Sequence, residues 1–588
     1  MMDSQATTIL KEKFGYDDFR PGQAKAIDRV LNGENTLVLM PTGGGKSLCY
    51  QVPALLLPGV TVVVSPLIAL MKDQVDALNE NGIAATFINS TITYQEMAHR
   101  LDMAAAGEVK LLYLAPERLD NPEFVQQLGE LNISLLAIDE AHCISQWGHD
   151  FRPSYLNLQT IAGQLPSHPA VIALTATATS RVADDICARL AIPDAGVVST
   201  GFARSNLSFQ VVRDQDKDTY LLEYLKLNPD HSGIIYYSTR KEVERLTNLL
   251  AKHHYPVAHY HGGMSDAERA ANQEDFLFDR KPIMVATNAF GMGIDKSNVR
   301  FVIHAQAPGD LESYYQEAGR AGRDGLDSDA ILLFAPKDLQ IQRFFIDQSD
   351  GDDEYRQKQY SKLETMRQYG NTGECLQQFI LRYFGEASQP CGRCSNCRDT
   401  REYVDVTESA QKVLSCVVRM RSRFGKGVVA SVLAGANNER IRQSHLADLP
   451  TYGLLSSWRQ KDITGFIDFL TAAGYLQPAA GQYPTLHVTA TGAAVLRGEA
   501  SVRRKQAAKA RQSLPVDDGL FQQLRELRSD LAEKQGLPPY MIFSDQTLRD
   551  LASAKPTDRV AMLAVKGIGQ NKLDKYGDEF LAVLNAAG

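Results

Sequence analysis

The stretch most able to do chemistry is Met40-Pro41-Thr42-Gly43-Gly44-Gly45-Lys46-Ser47, between the apolar run Thr36 to Leu39 and a helical pattern that starts near Leu48. A strand that turns on glycines into a helix leaves backbone N–H groups unpaired and aimed at one point. Only residues without a Cβ let a phosphate come that close. Thr42, Gly43, Gly44 and Gly45 would line the cradle, Lys46 would set its ammonium on the β- and γ-phosphates, and the Ser47 hydroxyl would join a Mg²⁺ shell. Met40 stands where the G-x-x-x-x-G-K-S pattern has its first glycine, so the stretch alone also suits an ordinary glycine-rich turn.

A second stretch, Leu135-Leu136-Ala137-Ile138-Asp139-Glu140-Ala141-His142, is an apolar strand ending in adjacent carboxylates. Asp139 can hold Mg²⁺, and Glu140 can take a proton from the water that attacks a γ-phosphate. A solvated acidic pair would not need the four apolar residues that lead into it. The two stretches together specify an NTPase. Upstream, Phe14 to Gln23 is turn-rich, and Gln23 can pair with an adenine edge while an aromatic such as Phe14 stacks on the base. Farther on, Gln316-Glu317-Ala318-Gly319-Arg320-Ala321-Gly322-Arg323 puts Arg320 and Arg323 on one helical face, able to reach an anion in a cleft and stabilise a transferring phosphoryl group.

Four of the eight cysteines, Cys49, Cys143, Cys187 and Cys416, are scattered in apolar or helical contexts that suit buried thiols. The others are Cys375 and the run Cys391-Gly392-Arg393-Cys394-Ser395-Asn396-Cys397. These four offer soft ligands for a closed tetrahedral zinc site or for an iron–sulfur cluster. A helical stretch from Tyr355 to Tyr383 would carry Cys375.

Short apolar runs alternate with helical patterns: Val60 to Val64, Leu111 to Leu114, Leu135 to Ile138 and Val171 to Leu174, then a second set from Gly233 through Ala330 to Phe334. Such alternation means two parallel-sheet lobes with helices on both faces, and a cleft at the strand ends. The second lobe has no phosphate cradle. At 588 residues the chain spans several domains, and its net charge of −8 does not mark a nucleic-acid binder, so any such surface is local. Between Gln411 and His445 that surface emerges, with seven basic side chains (Lys412, Arg419, Arg421, Arg423, Lys426, Arg440, Arg442) against Glu439. No uninterrupted apolar run is long enough to cross a membrane, and residues 1–13 are too polar for a secretory signal, so a cytoplasmic protein is expected.

These motifs, in this order, resemble those of RecQ-type DNA helicases of superfamily two over nearly the whole chain. The matching stretches include Phe19 to Gln23, Met40 to Ser47, Ser65 to Gln74, Asp139 to His142, Ala173 to Ala178, Ala286 to Asp295 and Gln316 to Gly325. Most specific is Cys143 to Pro153, an aromatic-rich loop that in this family couples single-stranded DNA to ATP hydrolysis. Trp147 and Phe151 offer faces for bases, and Arg152 a phosphate contact. The segment Phe202 to Leu207 departs from the family, which more often has Asp and Pro at positions 203 and 205.

The resemblance implies an α/β core of two RecA-like parallel-sheet lobes, a helical zinc-binding subdomain, a winged-helix domain and a small all-helical C-terminal domain. The expected bounds are 1–205, 206–338, 339–402, 403–500 and 515–588, with a basic linker over 501–514. It favours zinc on Cys375, Cys391, Cys394 and Cys397, and ATP with Mg²⁺ on the cradle, where Phe14, Arg20 and Gln23 join the nucleotide site. It places a wing tip at Tyr483, where many bacterial relatives have histidine. It implies a 3′-to-5′ DNA helicase acting on single-stranded and duplex DNA in recombination, repair or replication, associated with the nucleoid and partnered by single-strand-binding protein and other repair proteins. An RNA-remodelling ATPase of the DEAD-box class and a non-enzymatic DNA scaffold are the alternatives.

Overall fold

The computed structural model describes residues 4–66, 68–148, 150–213, 215–291, 296–335, 337–349, 351–479, 484–505 and 519–586. The first lobe is a sheet of parallel strands, β1 (Thr36–Leu39), β2 (Val60–Val64), β3 (Ala85–Ile88), β4 (Leu111–Leu114), β5 (Ile133–Ile138), β6 (Ala170–Thr175) and β7 (Val197–Ser199), in which the apolar runs are β1, β2, β4, β5 and β6, buried along nearly their whole length. They form one sheet in the order β3-β4-β2-β5-β6-β1-β7. The crossovers put the loops after β1, β5 and β6 side by side at one sheet end, which brings the cradle, Asp139 and Thr175 together.

A second parallel sheet contains β8 (Leu207–Arg213), β9 (Gly233–Tyr236), β10 (Val257–Tyr260), β11 (Ile283–Ala286), β12 (Phe301–His304) and β13 (Ser328–Phe334), in the order β10-β11-β9-β12-β13-β8. Three strands had no counterpart among the apolar runs: β3, β7 and β8. Each lies at a sheet edge, where one-sided burial replaces the continuous apolar run. In β8 only Leu207, Phe209 and Val211 face the core. Its free edge is covered by the cysteine loop, where Ser395 N–H donates to Phe209 O at 2.9 Å and Val211 N–H donates to Ser395 Oγ at 3.3 Å.

The helix expected over Tyr355 to Tyr383 is two helices, Asp353–Asn371 and Leu376–Tyr383. Cys375 caps the second, its sulfur accepting from Gln378 N–H at 3.5 Å, so it sits in the break and not within a helix. The break falls at Thr372-Gly373, where helix propensity is lowest.

The following domain contains the helices Thr407–Arg419, Lys426–Leu433 and Gln460–Ala472 and an antiparallel hairpin of Leu476–Pro478 with Leu486–Val488. Arg503–Lys505 pairs with Tyr403–Asp405, so the first residues expected in the linker 501–514 are a strand of this domain. Lys505 Nζ holds it by donating to Asn396 O at 3.0 Å. Residues 506–514 lie outside the described residues. The five C-terminal helices run from Gly519–Gln535 to Gln570–Ala586 and dock on the first lobe, where Gly567 N–H donates to Gly15 O at 2.8 Å and Lys575 pairs with Glu80 at 2.6 Å. A Cβ on Gly15, whose φ is 72°, would lie 2.7 Å from Gly569 N, so only glycine admits the contact.

One buried carboxylate ties the two middle domains. Asp468 accepts from Lys426 Nζ at 2.9 Å and from Arg367 Nη1, and Arg367 also pairs with Glu364. Asp468→Ala should strand these cations and destabilise the winged-helix domain by about 3 kcal/mol, read as a lower urea midpoint for its unfolding step.

Candidate active site

Gly43 and Gly45 adopt positive φ (78° and 79°) and the loop closes tightly on itself. A Cβ on Gly45 would meet Gln23 Nε2 at 2.4 Å, and one on Gly43 would meet Arg323 Cα at 3.2 Å. The cradle opens into a cavity of about 370 Å³ lined by Phe14, Arg20, Gln23, Thr42, Gly43, Gly45, Lys46, Ser47, Asp139 and Glu140 of the first lobe and Arg320 and Arg323 of the second. Lys566 of the C-terminal helices also reaches it. Gln23, expected to pair with an adenine edge, is also tied to the cradle. Its Oε1 accepts from Arg20 N–H at 2.8 Å and its Nε2 donates to Gly45 O at 2.8 Å, so both ends of the amide brace the cradle. Arg20 donates to Gly43 O and acts on the same loop.

Lys46 Nζ lies 3.3 Å from Met40 O. Burial pushes its pKa down, while Glu140 and then Asp139 oppose the shift. Asp139 is pushed up to about 7, first by burial and then by the charge of Glu140 beside it. Glu140 itself sits in the left-handed region at φ 47°, which turns its side chain back toward His142, 3.3 Å away. His142 Nδ1 lies 3.0 Å from Thr175 Oγ1 and so links the carboxylates to the end of β6. Two half-buried carboxylates side by side, lining one cavity with a serine hydroxyl, suit a divalent cation.

Arg320 and Arg323 were expected on a helical face. The helix Leu311–Ala318 instead stops at Gly319, and Gly322 takes φ 63°, so both arginines project from consecutive turns. The glycines end the helix and let the turn touch the cradle, for a Cβ on Gly319 would lie 3.1 Å from Thr42 Cβ.

In the aromatic loop the Trp147 ring is covered on both faces, by the Arg181 guanidinium 3.1 Å from its centroid and by Lys358 Nζ at 3.7 Å. Phe151 is half-buried. Arg152 donates to Pro66 O at 2.9 Å and to Asp150 at 3.1 Å, which braces the loop against the end of β2. Arg181 and Lys358 escaped the sequence reading because they lie in separate helices far along the chain; a cationic residue on a helix carries no local signal of its partner.

The sulfurs of Cys375, Cys391, Cys394 and Cys397 all lie within 4.8 Å of one another. Backbone N–H groups point at them: Leu376 and Cys397 at Cys394 Sγ (both 3.4 Å), Cys391 at Cys375 Sγ (3.2 Å) and Cys394 at Cys391 Sγ (3.3 Å). Thiolates that accept amide bonds at tetrahedral spacing fit one zinc ion. On the winged-helix surface, Lys412 pairs with Glu408 and Lys426 with Asp468. Arg419, Arg421, Arg423, Arg440 and Arg442 are exposed with no carboxylate partner among the described residues. Tyr483 lies outside the described residues.

Five family models match the chain in order: DEAD/DEAH box helicase over residues 20–186, helicase conserved C-terminal domain over 216–325, RecQ zinc-binding over 336–398, RQC domain over 400–513 and HRDC domain over 517–584. The ATP-dependent DNA helicase RecQ of Bacillus subtilis is 50% identical over 584 residues, covering 99% of this chain and 98% of that protein. The protein of the same name in Haemophilus influenzae is 38% identical, covering 98% of this chain and 95% of its own length. The RecQ-like DNA helicase blm-1 of Caenorhabditis elegans is 31% identical over 99% of this chain and 66% of its own.

Two outcomes follow from the site's chemistry. The folded protein holds the Asp139 proton more tightly than the unfolded chain, so the stability this confers is full at acid pH and is lost as pH rises through about 7. In chelator-treated protein, Asp139→Asn should therefore melt several degrees above the parent at pH 8, with a smaller gain at pH 5, by differential scanning calorimetry. Purified protein should contain one zinc per chain by metal analysis, and Cys394→Ser should lose it together with protease resistance.

Proposed function

The chain belongs to the RecQ family of ATP-dependent DNA helicases, and from that premise we propose that it moves 3′ to 5′ along single-stranded DNA and unwinds duplex or branched DNA in recombination, repair or replication. The observation that carries the motor reading is one cavity lined by the cradle, both carboxylates and two arginines from the opposite lobe. In this reading Lys46 holds the β- and γ-phosphates, and Glu140 takes the proton of the attacking water. Arg320 and Arg323 stabilise charge on the transferring group only when the lobes are closed, which ties hydrolysis to movement. Ser47 and Asp139 would hold Mg²⁺, which would neutralise phosphate charge. Arg20 and Gln23 keep the cradle in shape, and Phe14 borders the base.

Trp147 and Phe151 are the proposed DNA sensor. Stacking a base on Trp147 requires one of its two cations to leave the ring, which gives the strand a route to shift the helix that carries Lys358. The five unpaired arginines of the winged-helix domain, with Tyr483 at the wing tip, are proposed to grip duplex phosphates. Among the described residues no helix is long and apolar enough to cross a membrane. A cytoplasmic, nucleoid-associated protein that meets single-strand-binding protein and other repair proteins completes the proposal.

Unwinding of 3′-tailed, 5′-tailed and RNA duplexes tests it directly. Activity on the 3′-tailed DNA alone is expected; activity on the RNA duplex would favour the RNA-remodelling alternative. Lys46→Ala should abolish hydrolysis while still binding single strands, and an inactive parent would favour the scaffold. Trp147→Ala should keep the basal ATPase and lose its stimulation by single-stranded DNA.

A further inference from the structure

Arg204 lies in the linker between the lobes, one residue beyond the departure from the family pattern at Ala203, and is 7% exposed. All five of its N–H donors are engaged. Nε donates to Asn206 Oδ1 at 3.3 Å, Nη1 to Thr42 O and to Gly319 O at 3.2 Å, and Nη2 to Ala321 O and Gly322 O, both at 3.0 Å. Asn206 then donates to Gly322 O and Leu326 O, both at 2.8 Å. The carbonyls gripped at 319 and 321 bracket Arg320, and the one at 42 belongs to the phosphate cradle.

We infer that Arg204 is a positioning residue for hydrolysis, holding the turn that carries Arg320 in register with the cradle. The inference rests on the proposed role of Arg320. Of the five bonds, the one to Thr42 alone crosses to the first lobe, so opening the cleft breaks it and leaves Arg204 fixed to the arginine turn. Closure then re-forms a bond between the cradle backbone and the element whose guanidinium must reach the γ-phosphate. A planar fork can serve carbonyls on both sides at once, whereas a lysine ammonium is a single point with three donors. Arg320 sits in a turn after the helix end, where its N–H donates to Glu317 O at 3.2 Å, and the bonds from Arg204 to the carbonyls on either side fix the turn from the linker.

The test is Arg204→Lys, which keeps the charge, assayed beside Arg320→Ala and the double variant. Arg204→Lys should lower kcat of DNA-stimulated ATP hydrolysis on the order of a hundredfold, the cost of displacing a catalytic group by about 1 Å. KM for ATP and the affinity for single-stranded DNA should stay within about threefold of the parent, since neither the cradle nor the DNA surface is removed. The double variant should be no slower than Arg320→Ala alone, because both changes disable one element. Multiplying effects, or an Arg204→Lys kcat within about threefold of the parent beside a slow Arg320→Ala, would overturn the proposal alone. An Arg320→Ala protein with full turnover would overturn the arginine reading and this proposal with it. If Arg204→Lys does not fold, Asn206→Ala at a half-buried position should give the same signature in milder form, and an unchanged kcat there would count against Arg204.

Discussion

The approach of the second lobe to the cradle rests on Gly43, while Gly44 and Gly45 let the loop fold on Pro41 and on Gln23 of its own lobe. Gln23 comes up beneath the loop and Arg323 above it, and each occupies space that a Cβ would need. With both sides taken, the loop can do little except present its backbone to the cavity. The same absence of side chains that admits a phosphate therefore admits the second lobe, so anion binding and lobe closure draw on one constraint. Gly319 repeats the device from the other side, where any side chain would press on Thr42.

Around this contact the protein withdraws charge from water unevenly. Asp139 and Glu140 lie half-buried with Lys46 beside them, and Arg320 and Arg204 are buried, so three cations face two carboxylates. Each such group costs stability unless paired. The imbalance has the pattern of a site arranged for charged visitors, with cationic groups converging from both lobes and a carboxylate pair on one wall. Stability is recovered elsewhere, in two sheets whose central strands are wholly buried and in ion pairs such as Lys296–Asp279 and Arg300–Asp324, where both partners are removed from water together.

The architecture was legible where burial is two-sided, because a central parallel strand must be a continuous apolar run. It was illegible at three of the four edges: Thr86 breaks the apolar run of β3, β7 offers only two apolar residues before Ser199, and β8 alternates. At the candidate site, the glycines, Lys46 and the carboxylates that line one cavity stood out from local spacing. What decides their placement did not, since it comes from long-range partners: Gln23 engaged by the cradle, Arg320 released from its helix by two glycines, Trp147 held between Arg181 and Lys358. Spacing of cysteines picked out four whose sulfurs the structure brings within 4.8 Å, yet only the structure puts Cys375 in a helix break, where its sulfur can both cap a helix and face the other three.

The zinc subdomain has more connections than a staple requires. Its cysteine loop completes the edge of β8, Phe384 stacks on Phe202 of the linker at 4.8 Å, and Glu386 accepts from Phe202 N–H at 2.7 Å. The helix Asp353–Asn371 carries Lys358 on the Trp147 ring and, nine residues later, Arg367 on Asp468 of the winged-helix domain. An α-helix spans that separation as a rod of about 14 Å. One continuous element thus joins the Trp147 ring to the winged-helix domain, and Arg367 is fixed at its far end by the buried Asp468 and the half-buried Glu364. The four cysteine sulfurs lie beside that rod within 4.8 Å of one another, so a metal held there would stiffen the loop that covers β8.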